Sequence, residues 1–246
     1  MSLTKKLSIL TTTKNCQSDI EKLIVSLNEQ IDQNFNWVII DGGSTDKTIE
    51  LIKLNCKVNH KIISSNDFSI YHAMNIGVAN IETEYYCTAG SDDSFELDFV
   101  SNINLYLRGN FYDLILGCVK MGNGSTCVPG TGKGWLKGMH GVGSSHSIGT
   151  VINRNLHKKF DLYSKMYPVV ADQHFIKKCI YGGAKVLRVD ACFGTYAIDG
   201  FSSANKLQYQ LDFFKMQLET EKYWFLQLTL FTIRFVKLKI IKLTSC

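Results

Sequence analysis

Residues 85–95 read YYCTAGSDDSF: four residues with the composition of a buried strand, then Ala89-Gly90-Ser91, then two adjacent aspartates, Asp92 and Asp93. A strand that ends in a tight turn and delivers two carboxylates side by side concentrates negative charge where a sheet opens to solvent. Such a pair costs stability unless a cation offsets it.

Working outward from this stretch, a strand-turn-helix unit recurs. Leu7 to Thr13 (LSILTTT) is β-branched and apolar, and in the following QSDIEKLIVSLNEQ the residues Ile20, Leu23, Ile24 and Leu27 share one helical face. Phe35 to Ile40 (FNWVII) runs into Asp41-Gly-Gly-Ser-Thr-Asp46, and Thr45 to Leu54 has helical character with Ser44 or Thr45 as N-cap. Lys61 to Ser64 predicts a third strand, Ile70 to Ala79 a helix, Tyr85 to Thr88 a fourth strand, Leu97 to Arg108 a helix and Asp113 to Val119 a fifth strand. Alternation of this kind predicts right-handed crossovers and an α/β fold with a mainly parallel sheet flanked by helices. In such sheets ligands sit beyond the carboxyl ends of the strands. Position alone therefore selects Thr11, Thr12, Thr13, Asp41, Asp92 and Asp93. Each has a bland alternative: Asp41 before two glycines closes a turn, and one of the aspartate pair caps a helix beginning near Phe95. Neither GxxxxGK[ST] nor GxGxxG occurs, so nucleotide phosphates would need a divalent cation on carboxylate oxygens instead of a glycine cradle.

At 246 residues, with 45% hydrophobic and 20% charged residues, the chain has the composition of a soluble globular protein with one larger domain or a domain plus an appendage. Its eight cysteines form no CxxC pair and no zinc spacing, which predicts buried or incidental thiols in a reducing compartment. The apolar run in MSLTKKLSIL is too short for a signal peptide, and a cytoplasmic protein is expected. The net charge of +5 is carried by the end of the chain. After Glu221 no acidic residue occurs, while Lys222, Arg234, Lys237, Lys239 and Lys242 add five positive charges. A neutral body with a basic tail argues against nucleic-acid binding and for a local contact with an anionic membrane surface.

The ordered series LSILTTTKN, VIIDGGSTDKT, NDFSIYHAMNIGVA and TAGSDDSF resembles the family 2 glycosyltransferases of GT-A fold, in particular bacterial enzymes that build O-antigen, capsule or exopolysaccharide. The resemblance extends over about residues 5–205. It implies that Thr11, Thr13 and Asp41, with Thr12 beside them, hold the uracil and ribose of a UDP-sugar, that Asp92 faces the ribose, and that Asp93 binds a Mn2+ or Mg2+ ion bridging the diphosphate. The family pattern DxGIYDAMNxG is matched at Asp67, Tyr71, Asn75 and Gly77, which places Asp67 and Asn75 near the donor, but Ser69 replaces a glycine and His72 an aspartate. His72 reads either as a packed or surface residue or as a catalytic one.

Residues 120–143 are dense in glycine and lack periodicity, predicting a long mobile segment through which an acceptor would enter, with Trp135 as a stacking surface, or a plain surface insertion. The stretch from His146 to Phe160 resembles the family's strand opposite the donor, with Ser147 where a glutamine is often found, so His146 is a candidate acceptor contact. In Val170-Ala-Asp172-Gln-His-Phe the resemblance makes Asp172 the catalytic base, against a helix cap as the alternative. Transfer to a hydroxyl requires such a base, and burial beside an anionic diphosphate would raise its pKa. Val186 to Val189 predicts a further strand. Tyr196 to Ser203 resembles a closing loop in which Asp199, in place of a glycine, either touches the acceptor or turns the chain.

Beyond Asn205 the pattern is helical, and from Tyr223 to Leu243 apolar residues lie on all sides with basic ones interspersed. Those charges oppose a transmembrane helix and suit an interfacial one; a helix packed on the domain is the alternative. The organisation expected is a GT-A domain at 1–205, with a nucleotide-binding half (1–95) and an acceptor half (96–205), and a C-terminal helical, membrane-associating tail at 206–246. The expected function is inverting transfer of a hexose or N-acetylhexosamine from a UDP-sugar to a polyprenyl-diphosphate-linked saccharide, at the inner face of the cytoplasmic membrane. Two rivals remain: another nucleotide enzyme of doubly wound fold, such as a methyltransferase, and a catalytically inactive assembly factor.

Overall fold

The computed structural model describes residues 5–65, 69–197 and 205–244, with side chains to residue 237. The first half is β1 (Leu7–Thr13), α1 (Ile20–Asn28), β2 (Phe35–Asp41), α2 (Thr48–Asn55), β3 (His60–Ser64), α3 (Ile70–Asn80), β4 (Tyr85–Thr88), β5 (Ser94–Phe95) and α4 (Phe99–Tyr106). There follow β6 (Leu114–Met121), β7 (Thr126–Cys127), α5 (Gly134–Lys137), two 3-10 turns, β8 (Thr150–Asn153), α6 (Leu156–Phe160), α7 (Ala171–Tyr181) and β9 (Val186–Tyr196). Two helices close the chain, α8 (Lys206–Thr220) and α9 (Trp224–Thr244).

Among the described residues one mainly parallel sheet runs in the order β3-β2-β1-β4-β8-β6-β9-β5, with β7 beside β6. β1 pairs in parallel with β2 and β4, β2 with β3, and β6 with β9, while β8 is antiparallel to both β4 and β6. Both faces of the sheet are covered, so the central strands are apolar throughout instead of alternating. The period of two still sorts their side chains. Leu7, Ile9, Trp37 and Ile39 enter the core shared with α1, α2 and α4, whereas Leu10, Val38 and Ile40 enter the one shared with α3, α6, α7 and α8.

Several boundaries differ from the sequence expectation. Ser94 and Phe95 pair with Thr195 and Gly194 of β9, so α4 begins at Phe99 and the aspartate pair caps no helix at Phe95. α2 begins at Thr48; its backbone N–H and hydroxyl donate to Asp46 Oδ1, and Ser44 is bound elsewhere, so neither Ser44 nor Thr45 is the cap. β9 runs seven residues past the expected Val189 because β6 and β5 pair with its length.

The glycine-rich segment is packed in its second part and exposed in its first. Gly134, Gly138, Met139 and Gly141 are buried, and a Cβ at Gly138 would lie 2.4 Å from the Phe213 ring. Its glycines permit close approach to α8 and need not signal mobility. Trp135 sits on α5 and is 41% exposed; its carbonyl accepts from the Gln217 and Gln227 amides, at 2.8 and 2.9 Å.

The expected tail divides in two. α8 belongs to the core: Phe213 and Met216 are buried, Asp212 accepts from the Val169 backbone N–H (2.9 Å), and buried Lys177 of α7 pairs with Glu221 (2.6 Å). α9 lies on α8 through a Phe214–Phe231 stack and through Arg234 over the Phe213 ring. Its other face leaves Trp224, Phe225, Leu228, Ile233 and Val236 about half exposed or more. Among the described residues no helix is long and apolar enough to cross a membrane, and the seven described cysteines are free thiols.

Candidate active site

The carboxyl ends of β1, β2 and β4 open onto a cleft of about 1010 Å³. One wall carries Thr12, Thr13, Gly42 and the Gly90–Asp93 turn; the other carries Asp172 and Gln173 of α7 and Lys206, Tyr209 and Gln210 of α8. His146 and Tyr196 lie between them in the lining.

Asp92 and Asp93 have separate environments. Asp92 is partly exposed and lines the cleft, whereas Asp93 is 1% exposed and accepts the Gly90 backbone N–H at 2.7 Å. A Cβ at Gly90 would fall 2.6 Å from Asp92 Oδ1, so a larger residue there would push the carboxylate aside. Burial, and then the charge of Asp92, push the Asp93 carboxyl well above the ordinary carboxylate range; the Gly90 N–H opposes this. His146 Nδ1 stands 3.8 Å from Asp93 Oδ2, with its ring stacked flat on Tyr196 at 4.3 Å. Burial holds the imidazole below its usual pKa, against the pull of Asp172 and Asp92. A neutral imidazole and a buried carboxylate, too far apart for a hydrogen bond and near enough to share an ion, suit a divalent cation. His146, expected at the acceptor, thus lies against the candidate metal ligand. Among the described residues no group of three or more His, Cys, Asp or Glu converges as a closed metal cage.

Asp172 occupies the second position of α7, behind Val170 at the N-cap, so it is not the cap itself. Its Oδ1 accepts from the Tyr71 hydroxyl at 2.7 Å, and that hydroxyl also lies 2.9 Å from the Val169 carbonyl. Burial raises the Asp172 pKa, while the Tyr71 hydroxyl, the backbone of the first α7 turn and His146 moderate the rise. The backbone of Val169 is clamped from two sides, its C=O by Tyr71 of α3 and its N–H by Asp212 of α8. The segment leading to Asp172 is thereby held by elements that are remote in sequence.

Not every expected contact points into the cleft. Thr11 is fully buried on the opposite face of the sheet and accepts from Trp37 Nε1 at 3.0 Å, whereas Thr12 and Thr13 line the cleft and Thr13 Oγ1 has no hydrogen-bond partner. Asp41 closes its own turn, its two oxygens accepting from Gly43 N, Ser44 N and Ser44 Oγ. Asn75 grips the Tyr163 backbone through both amide atoms, at 2.9 Å each, which ties α3 to the segment before α7. Trp135 and His72 are not in the lining. Asp67 and Asp199 lie outside the described residues. Sequence reasoning assigned no role to Tyr71, Gln173, Tyr196, Tyr209 or Gln210. Tyr71 was visible inside the IYHAMN motif, but its partner is 101 residues away.

The model of glycosyl transferase family 2 matches residues 8–149, more than half of the chain. A glycosyltransferase of Streptococcus pneumoniae, GlyA, is 27% identical over 105 residues, which is 42% of this chain and 15% of that protein. In the curated relatives it resembles, the matched stretch spans between 13% and 46% of their length. Among solved structures, S. aureus TarS 1-349 in complex with UDP-GlcNAc superposes with a TM-score of 0.65 at 18% identity, covering 92% of this chain and 70% of that one. The mannosyltransferase PcManGT of Pyrobaculum calidifontis, in complex with GDP-Man and Mn2+, gives a TM-score of 0.68 at 14% identity, covering 90% and 66%. These likenesses carry the fold.

Proposed function

The chain belongs to glycosyl transferase family 2, with the GT-A architecture of its structural neighbours, and from that premise we propose that it is an inverting, metal-dependent transferase of a hexose or N-acetylhexosamine from a UDP-sugar. The observation that carries this reading is that one cleft at the strand ends is lined by two carboxylates with raised pKa values, the buried Asp93 and the half-buried Asp172. Asp93, with His146 beside it and Asp92 at the rim, would hold Mn2+ or Mg2+; when bound, the ion supplies charge stabilisation for the departing diphosphate. Thr12 and Thr13 stand where the nucleoside would lie, and the unpartnered Thr13 Oγ1 would find its hydrogen bond there.

Asp172 accepts the proton of the acceptor hydroxyl as its oxygen attacks the anomeric carbon and the sugar–phosphate bond breaks, so that one displacement inverts the configuration. Tyr71 keeps the Asp172 carboxylate oriented while burial keeps it basic enough to work. A methyltransferase would have no use for carboxylates arranged in this way, and an inactive assembly factor would not need a Tyr-held base.

For the acceptor we propose a polyprenyl-diphosphate-linked saccharide of surface polysaccharide synthesis, met at the cytoplasmic face of the membrane. Supporting this is α9, which combines an exposed apolar face with a chain end carrying only basic charges. Calorimetric titration with UDP, with and without Mn2+, tests the donor side: tight binding only with the ion is expected, and binding indifferent to metal would sink the metal-dependent reading. A screen of UDP- and GDP-sugars with a short lipid-diphosphate saccharide then identifies donor and acceptor.

A further inference from the structure

The wall of the cleft facing the aspartate turn has a chemistry of its own. Gln173, next to Asp172, is 9% exposed, and its Oε1 is buried without a hydrogen-bond partner. The Oε1 of Gln210, on α8 and in the lining of the same cleft, is buried and unpartnered as well. Buried amide oxygens are rarely left unpaired, because their lost hydration is then uncompensated. Two on one wall of a ligand-sized cleft mark places where a ligand brings donors.

Beside Gln210 in sequence is Tyr209, whose phenolic oxygen accepts a hydrogen bond from the Gln173 side-chain amide. Its ring is stacked on Phe213 at 6.0 Å, and Phe213 is covered in turn by Arg234 of α9. The aromatic surface is therefore held rigidly. The unsatisfied atoms here are acceptors, which match O–H groups. A phosphate, itself an acceptor, finds no complement in these two oxygens and would be met instead by Lys206 on the same wall. A ring bearing several hydroxyls and an apolar C–H face fits both the amide oxygens and the tyrosine.

We propose that Gln173, Tyr209 and Gln210 form a saccharide subsite that grips the hydroxyls of the acceptor's terminal sugar while its reacting hydroxyl faces Asp172. The assignment as acceptor subsite rests on the transferase reading above. It makes α8 part of the substrate site, where the sequence suggested only a tail.

The test uses the full chain with Mn2+ and UDP, titrated calorimetrically with octyl β-D-glucoside, octyl β-D-galactoside and octyl N-acetyl-β-D-glucosaminide below their micellar concentrations. At least one glycoside is expected to bind. Gln210→Met, near in volume but lacking the acceptor oxygen, should weaken that binding about tenfold, and its melting temperature should hold or rise because an unpaired buried oxygen is gone. Gln173→Met should weaken binding in the same direction, and Gln210→Glu, which keeps acceptor oxygens, should retain more affinity than Gln210→Met. Wild-type protein that binds UDP and none of the glycosides overturns the subsite. Methionine variants that bind as tightly as wild type also overturn it, as does a joint fall in melting temperature and affinity with no advantage for glutamate. Absence of UDP binding by the wild-type protein counts instead against the transferase reading, so the two failures are distinguishable.

Discussion

Asp93 and Asp172 line one cleft, and burial raises the pKa of both. Their partners differ. Asp93 has one backbone N–H, a second carboxylate alongside and a neutral imidazole at 3.8 Å. Asp172 has a tyrosine hydroxyl and the first turn of a helix, with His146 further off. The first set leaves the ionised Asp93 with negative charge that a bound cation would compensate. The second supports the ionised form enough for the group to exchange a proton with a hydroxyl. Asp93 is the more deeply buried of the two, and burial together with hydrogen-bonding partners decides which chemistry each serves.

That contrast breaks most sharply at Asp172. Asp172→Asn should lower the rate of sugar transfer about 10³-fold, a typical loss on removing a general base, while UDP and Mn2+ still bind; a steady-state assay beside calorimetry reads both. At Asp93 the pattern should reverse. Asp93→Asn should remove the Mn2+-dependent part of UDP affinity, a loss of about 10²-fold for a charge contact worth several kcal/mol, with any residual binding indifferent to metal.

The same variant sharpens the comparison through stability. The folded-state pKa of Asp93 lies above its ordinary value of 3.8, so the native state favours the protonated form. Metal-free protein should therefore lose stability as pH rises from the ordinary value through the raised folded one, and regain it when Mn2+ is added. Asp93→Asn should flatten that part of the pH profile and raise the metal-free melting temperature by about 3 °C for each ~1 kcal/mol relieved, as scanning calorimetry would show.

Tyr71→Phe probes how Asp172 is held. Losing one hydrogen bond to a charged group should slow transfer about tenfold. Because that bond lowers the Asp172 pKa, the acidic limb of the rate profile should move to higher pH. A slower enzyme with an unmoved limb would mean that Tyr71 acts through packing alone. The smallest effect expected is at the surface: Lys237→Gln should weaken partition onto anionic liposomes about fivefold, the worth of one charge near such a surface, with UDP affinity unchanged.

Residues whose roles follow from local chain geometry were legible in the sequence. Thr12 and Thr13 close β1 and Asp92 and Asp93 follow β4, so all four stand at the carboxyl ends of parallel strands, where the cleft opens. Thr11 differs from its neighbour Thr12 for a geometric reason too. One residue along a strand turns the side chain to the other face, where Trp37 holds it. Asn75 matched a motif, but whether its amide meets a donor or the Tyr163 backbone depends on a segment 88 residues further on.

The glycines between residues 120 and 143 suggested mobility because a sequence shows their missing side chains and not the neighbours that fill the space at some of them, such as Phe213 and Met216 of α8 at Gly138. α8 itself was hidden by its composition: a modestly amphipathic helix near a basic chain end looks the same whether it packs on a domain or lies on a membrane.

The sequence by itself determined the alternation of strands and helices, the family, the presence of two acidic centres and the basic end of the chain. Each depends on neighbours within a few residues or on the order of motifs. Only the tertiary structure decided that His146 faces Asp93, that Tyr71 holds Asp172 and that α8 builds a wall of the cleft. Those pairings join residues dozens to a hundred positions apart. Their physical cause is the packing of α3, α7 and α8 on one face of the sheet, which buries Tyr71, Phe175, Phe213 and Met216 in a single core and brings their polar neighbours together.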